Sequence, residues 1–418
     1  MNCIKIQSKT ENVIPAFPLK ISENRRYLVD QNNKPFFYHG DTCWKLFWEF
    51  TEEEAELYLE DRKQKGFTVI QVQLLPHRNY QANREGNTPF MVRGDLTTPN
   101  PAYFAHVDKV IKIAMEKGLG LLIAPVWASK WEQDWYKHLN TDNAEIFSRY
   151  LANRYKDFKS IIGWIHGGDD DALELHNCIR IFGRIFKEVA PWQINTFHAN
   201  QKGGWEFFNN DTWYDMNMAY SYNYSNMVEQ MTKAYHLNPV RPVILGETHY
   251  EYNTGISSSL LRKFAYTSVI LGGAGQTYGN KDIWIATCFW RVAMDAPAAH
   301  HMSHLKELFT SVKWYQMIPD TTHVLVTKGY GSGEEFAPAC YSEDGSLAIV
   351  YIPTACTLTI DTDKFSGETE AYWFDPTSGM YIDIGNVTIQ GEKKFKTPGK
   401  NSDGDEDWVL LFKGNCSI

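Results

Sequence analysis

The chain has 418 residues, 43% hydrophobic and 14% aromatic, which is enough for one large folded unit and a smaller one. Its formal net charge of -9, with both signs interspersed, offers no basic stripe and excludes nucleic acid as a partner; no run approaches ~20 apolar residues, which excludes a helical membrane span. Seven cysteines (Cys3, Cys43, Cys178, Cys288, Cys340, Cys356, Cys416) are scattered without a CxxC pair, which argues against a disulfide framework or a zinc site and for reduced or buried thiols.

The N-terminal stretch "MNCIKIQSKTENVIPAFPLK" lacks an apolar signal core, so the chain as given carries no secretion signal, although a trimmed leader would leave the same sequence. Residues 19–38 read as a hairpin with "QNNK" as its turn. "KPFFYHGD" (34–41) is then a first strand, followed by the helix "TEEEAELYLEDRKQKG" (51–66), where Thr51 and Glu54 form a capping box and Gly66 is the stop. Strands follow at 67–75, 119–127, 160–168, 193–199, 215–222, 241–247 and 274–279, with helices near 101–117, 142–157, 171–190, 225–237, 257–271 and 294–313. Short, nearly all-apolar strands joined by helices imply a parallel sheet covered on both faces, and eight of them predict an α/β fold of the (β/α)8 TIM-barrel type. An open doubly wound sheet is the alternative, but the first strand-to-helix turn, "HGDTCW", has no GxGxxG fingerprint. Beyond "MIPD" (317–320) short β-rich runs alternate with turn signals such as "SEDGS" and "DPTSGM", which predicts a small antiparallel β-sandwich. The expected division is an N-terminal extension with a hairpin strand (1–29), a catalytic barrel (30–318) and a C-terminal sandwich (319–418).

In such a barrel the C-terminal strand ends form the active face. Strand 4 runs into "GGDDD" and strand 7 into Gly246-Glu247, so two carboxylates point into one bowl. That pairing is what glycoside hydrolysis uses: one carboxylic acid protonates the leaving oxygen, and one carboxylate attacks or activates water. Asp170 and Asp171 are expected to cap the helix that follows. Asp169, after Gly167-Gly168 that would let the backbone approach a ligand, and Glu247, a carboxylate ending an apolar strand, are the catalytic candidates. Other groups leaving the strand ends are candidates for sugar contact: Asp41 and Trp44 (strand 1), Gln73 and His77 (strand 2), Trp127 (strand 3), His198 (strand 5), Tyr220 and Tyr222 (strand 6), and Tyr250 (after strand 7). Asp41 and His198 orient either hydroxyls or the catalytic carboxylates. Most of the 14 Trp, 23 Tyr and 23 Phe serve the core, while those at strand ends suit the apolar C–H faces of sugar rings.

The segments "HGDTCWKLFWEFTEEEAELYLEDRKQKGFTVIQVQLL", "GWIHGGDDD", "NTFHA", "DMNMAYSY" and "RPVILGETHYE", in this order, resemble the apiosidase-like glycoside hydrolases. The resemblance covers nearly the whole chain and implies a (β/α)8 barrel followed by a β-sandwich often labelled a collagen-binding domain, although nothing in these residues suggests collagen. It further implies a retaining two-carboxylate mechanism on complex, plant pectic glycans, with Asp169 as acid/base and Glu247 as nucleophile. After "DMNM" a Gln-Ser-Gly-His stretch is frequent in the family, whereas "AYSYNY" stands here, so substrate contacts on that loop do not transfer.

No cofactor and no metal are implied. "HHMSH" places His300 and His304 on one helix face, but without the glutamate of HExxH and away from the strand ends, so His300, His301 and His304 read as solvated or packing residues. The expected partner is an oligo- or polysaccharide substrate. The rival reading, a non-catalytic carbohydrate-binding or scaffold protein on the same barrel, would be signalled by loss of either carboxylate, and both are present.

Overall fold

The computed structural model describes residues 3–4, 14–130 and 133–414; Cys416 and most of the N-terminal stretch lie outside the described residues. Eight parallel strands form the barrel: β1 (Tyr38–Thr42), β2 (Val69–Gln73), β3 (Gly120–Ala124), β4 (Ile161–Gly167), β5 (Ile194–His198), β6 (Asn217–Tyr220), β7 (Val243–Glu247) and β8 (Gly275–Gly279). The sheet runs continuously from β6 through β8 and β1 to β5. Its seam between β5 and β6 is bridged just before β6, where Asp215 N donates to Asn195 O (2.9 Å) and Thr196 Oγ1 to Met216 O (2.8 Å). Every residue of all eight strands is buried, as strands covered on both faces require.

The helices that cover the barrel are α1 (Glu52–Gln64), α2 (Pro101–Glu116), α3 (Thr141–Tyr155), α4 (His176–Val189), α5 (Trp205–Phe208), α6 (Tyr224–His236), α7 (Ser258–Ile270) and α8 (Pro297–Thr310). The capping box read in the sequence is formed: Glu54 N donates to Thr51 Oγ1 (3.2 Å) and Thr51 N to Glu54 Oε2 (3.1 Å). Between β5 and β6 the covering helix shrinks to the single turn of α5.

The N-terminal hairpin is a three-stranded meander, with strands Lys20–Ile21, Leu28–Val29 and Pro35–Phe36. Leu19, Leu28 and Phe36 belong to one buried cluster with Val69, Ile194, Met216 and Ala274, residues at or just before the starts of strands. The meander therefore plugs the barrel floor and leaves the opposite end open.

The C-terminal unit comprises β9 (Met317–Pro319), β10 (Val326–Lys328), β11 (Ala339–Ser342), β12 (Leu347–Ile352), β13 (Thr357–Asp361), β14 (Thr369–Phe374), β15 (Tyr381–Val387), β16 (Glu392–Lys396) and β17 (Trp408–Gly414). Seven strands, in the order Cys3–Ile4, β15, β14, β17, β12, β11, β9, face the three-stranded sheet β10-β13-β16. "LAIVYI" shows how a two-residue period serves two partners. Ala348, Val350 and Ile352 enter the sandwich core, while Ile349 and Tyr351 join Leu261, Tyr266 and Leu305 of the barrel helices. The two units share a hydrophobic interface. The five cysteines Cys43, Cys178, Cys288, Cys340 and Cys356 are free thiols.

Candidate active site

β4 delivers Asp169 to the barrel mouth through a turn that tolerates no side chains. Gly167 has φ +86, and a Cβ there would sit 2.1 Å from the carbonyl oxygen of His198. One on Gly168 would sit 2.7 Å from the carbonyl oxygen of Ala128. The expectation that these glycines admit a ligand is thus corrected, because the backbones of the loops after β3 and β5 take that space. Hydrogen bonds Ala128 N to Gly167 O (2.8 Å) and Gly168 N to His198 O (3.0 Å) lock the turn, and Asp169 emerges half-buried. Asp170 and Asp171 do not cap α4, which has no side-chain cap. Asp170 Oδ1 instead accepts from Ala172 N (3.1 Å), whose residue is left-handed, and Asp171 pairs with Lys202 (2.6 Å).

Glu247 ends β7 and is 5% exposed. Its Oε2 lies 2.9 Å from His198 Nε2, and its Oε1 accepts from Tyr222 Oη at 3.2 Å. His198 Nδ1 lies 2.9 Å from the carbonyl oxygen of Gly168. A carbonyl only accepts, so Nδ1 carries a hydrogen, and the Nε2–Glu247 contact must then hold a proton as well. Burial pushes the His198 imidazole downward, but the Glu247 and Asp169 carboxylates outweigh it and the net direction is upward. The arrangement is a buried imidazole with a raised pKa beside two carboxyl groups. Burial and Glu247 both raise the Tyr222 phenol, which therefore stays protonated as a donor. Asp169, His198 and Glu247 each contribute one side-chain atom to a cluster whose members all lie within 4.8 Å of one another.

These carboxylates open into a cavity of about 120 Å³ lined by Trp44, Gln73, His77, Trp127, Asp169, Tyr222, Glu247, Tyr250, Asn253 and Trp284. Trp44 Nε1 donates to Tyr250 Oη (2.8 Å), its ring lies 4.9 Å from that of Trp127, and Gln133 Nε2 donates to Gln73 Oε1 (3.2 Å). His77 Nε2 and the indole N–H groups of Trp127 and Trp284 are buried with no partner among the described residues. Burial lowers His77 to about 4, so its ring is neutral.

Three predicted contact residues stand outside this wall. Asp41 faces away from the bowl, because the strand alternation that turns Gly40 toward Thr277 turns Asp41 toward the helices, where it pairs with Arg62 (3.1 Å) and accepts from Tyr58 Oη (2.8 Å). His198 is fully buried beneath Glu247 and orients that carboxylate. Tyr220 packs at 4.5 Å on His198, behind the wall, next to a register shift between Ala219 and Tyr220. Asn253 and Trp284 were not anticipated. Trp284 carried the same signal as Trp44, an aromatic a few residues past a strand end, whereas Asn253 carried none.

The cluster of Asp169, His198 and Glu247 is compact enough for a cation, but both imidazole nitrogens are engaged, so His198 would have to break a hydrogen bond to become a ligand. A second group, Glu52, Glu85 and His106, is bridged by Lys109, 2.6 Å from Glu52. On α8, His300 faces Asp295 (3.9 Å), His301 Asp403 (3.0 Å) and His304 Glu307 (3.8 Å), three separate acidic neighbours.

The model of the family described as "Apiosidase-like, catalytic domain" matches residues 22–316, and that of the "Putative collagen-binding domain of a collagenase" matches residues 318–413. A solved structure described as "Glycoside hydrolase" is 28% identical, with a TM-score of 0.87 over 97% of this chain and 99% of the other. A glycoside hydrolase family 5 structure from Bacteroides vulgatus is 24% identical, with a TM-score of 0.88 over 97% and 96% of the two chains, a likeness of fold. No curated protein matches.

Proposed function

Since the chain belongs to the apiosidase-like family of glycoside hydrolases, we propose that it hydrolyses glycosidic bonds in complex, plant pectic glycans by a retaining mechanism, with Asp169 as acid/base and Glu247 as nucleophile. The observation that carries this reading is the distance between carboxylate oxygens of the two residues, within 4.8 Å at one cavity. Retention needs carboxyl groups roughly 5–5.5 Å apart, whereas inversion needs about 6.5–9.5 Å to admit a water.

In the first step Asp169 gives its proton to the leaving oxygen while a Glu247 oxygen bonds to the anomeric carbon and the glycosidic bond breaks. In the second, Asp169 takes a proton from water, whose oxygen displaces Glu247 and restores both carboxyls. His198 and Tyr222 hold one Glu247 oxygen each, which fixes the nucleophile's direction of attack. The unpartnered donors of Trp127 and Trp284 are suited to sugar hydroxyls, and a neutral His77 can accept from one.

The test is Glu247→Ala on a pectic glycan that the wild type cleaves. Activity is expected to fall by three orders of magnitude or more, about 4 kcal/mol at about 1.36 kcal/mol per decade. Added azide should restore turnover and yield a glycosyl azide of inverted configuration. Proton NMR of the first wild-type product should show the retained anomer, and an inverted one would recast Glu247 as a general base.

A further inference from the structure

The cavity of about 120 Å³ is smaller than the ~150 Å³ that takes a single benzene, so its walls have room for no more than one sugar ring. Any substrate with a glycosidic bond has a second unit, which must rest outside the walls. The loop after β7 presents a candidate for that place. Tyr250 and Asn253 both line the cavity, and Asn253 N donates to Tyr250 O (3.1 Å), closing a four-residue turn. Within it Glu251 points inward, 3% exposed, where Oε1 accepts from Ala298 N (2.9 Å) and Oε2 from Tyr278 Oη (2.5 Å). The backbone of Glu251 is tied to the end of β8 through Glu251 N to Gly279 O and Lys281 N to Glu251 O, both 2.9 Å. Tyr252 is the remaining member: the residue is 46% exposed and its φ is +69.

A bulky residue at positive φ is uncommon and costs conformational energy, and such outliers concentrate at ligand clamps. A glycine would fit this backbone without strain, yet the chain keeps a strained, solvent-exposed tyrosine on the turn whose neighbours Tyr250 and Asn253 line the cavity. An aromatic ring on a rigid, anchored turn loses little entropy on binding and can cover the C–H face of a sugar.

We propose that Tyr252 is the stacking platform for the sugar unit adjoining the one held in the cavity, so that it selects substrates of at least two rings. The proposal rests on the glycoside-hydrolase reading above. It is tested in the Glu247→Gln background by calorimetric titration of a panel of oligosaccharides, pectic fragments among them, and of their constituent monosaccharides. Tyr252→Gly, whose backbone suits the turn, removes the ring while leaving the melting temperature unlowered. The ratio of oligosaccharide to monosaccharide affinity is expected to fall tenfold or more, and Tyr252→Trp to preserve it. An oligosaccharide affinity unchanged by Tyr252→Gly overturns the platform alone. If Glu247→Gln binds none of the panel, the platform falls together with the functional reading.

Discussion

His198 is the residue on which the candidate site turns, because its Nδ1 contact to the Gly168 carbonyl leaves a proton to be shared with Glu247. With its pKa raised by the two carboxylates, the stabilisation from this contact is fully present below about pH 6.5, the unfolded value, and is lost as pH rises through the higher folded value. The melting-temperature difference between wild type and His198→Asn should therefore be largest below pH 6.5 and shrink on the alkaline side. A difference independent of pH would mean a neutral imidazole. The same substitution leaves Glu247 with Tyr222 as its remaining hydrogen-bond donor and should lower kcat at least tenfold with little change in KM, since it touches nucleophile placement and no wall of the cavity. At this scale the sequence was legible wherever a strand end alone decides the position: Asp169, Glu247, Trp44, Gln73, His77 and Trp127 all reach the cavity. It was illegible where parity or depth decides. A one-residue uncertainty in register reverses the facing of Asp41, and nothing in "NTFHA" says that His198 lies beneath a carboxylate instead of beside a ligand. Asn253 is brought in by a loop tied back onto β8, a contact that no periodicity encodes.

At the scale of elements, the barrel strands were readable because their runs are short and apolar, the signature of burial on both faces, and α1 because its capping box is conventional, whereas α4 starts without a side-chain cap. What escaped was the manner in which strand ends are packed, above all at Gly167-Gly168, where the neighbouring backbones, not a ligand, demand glycine. Gly167→Ala therefore combines a left-handed φ with an overlap against the His198 carbonyl. The turn must shift, carrying Asp169 and the Gly168 anchor of His198 with it. We expect a loss of about 2 kcal/mol or more in stability and a larger proportional loss of activity, read by denaturant titration and initial rates. Thr51→Ala offers the contrast. It removes half of the capping box of α1, at a residue that lines no wall of the cavity, and should cost about 1 kcal/mol with kcat intact.

For the whole molecule the question is whether barrel and sandwich melt as one. Their shared face is apolar, with Tyr266 and Tyr351 stacked at 5.1 Å, and is clamped by Arg262 of α7. That guanidinium is fully buried and reaches both oxygens of Asp407, at 2.8 and 2.7 Å, as well as Asp405 at 2.7 Å; Tyr351 Oη also donates to Asp407 (2.9 Å). Arg262→Ala strands a buried carboxylate, and breaking such a pair costs about 3–5 kcal/mol. Arg262→Lys keeps the charge but loses the bidentate fork, so its cost should be intermediate. The calorimetric signature distinguishes the two possibilities. If the 418 residues unfold together, an unfolding entropy of about 2.1 cal/mol/K per residue gives about 0.9 kcal/mol/K, and the single transition of Arg262→Ala should drop by about 3–6 °C. If the sandwich melted alone, about a hundred residues would supply about 0.2 kcal/mol/K, and a separate transition would fall by about 15 °C or more while the barrel's stayed in place. The extent of the apolar interface favours the first outcome. Two resolved transitions in the wild type would show instead that Arg262 fastens the units without making them cooperative.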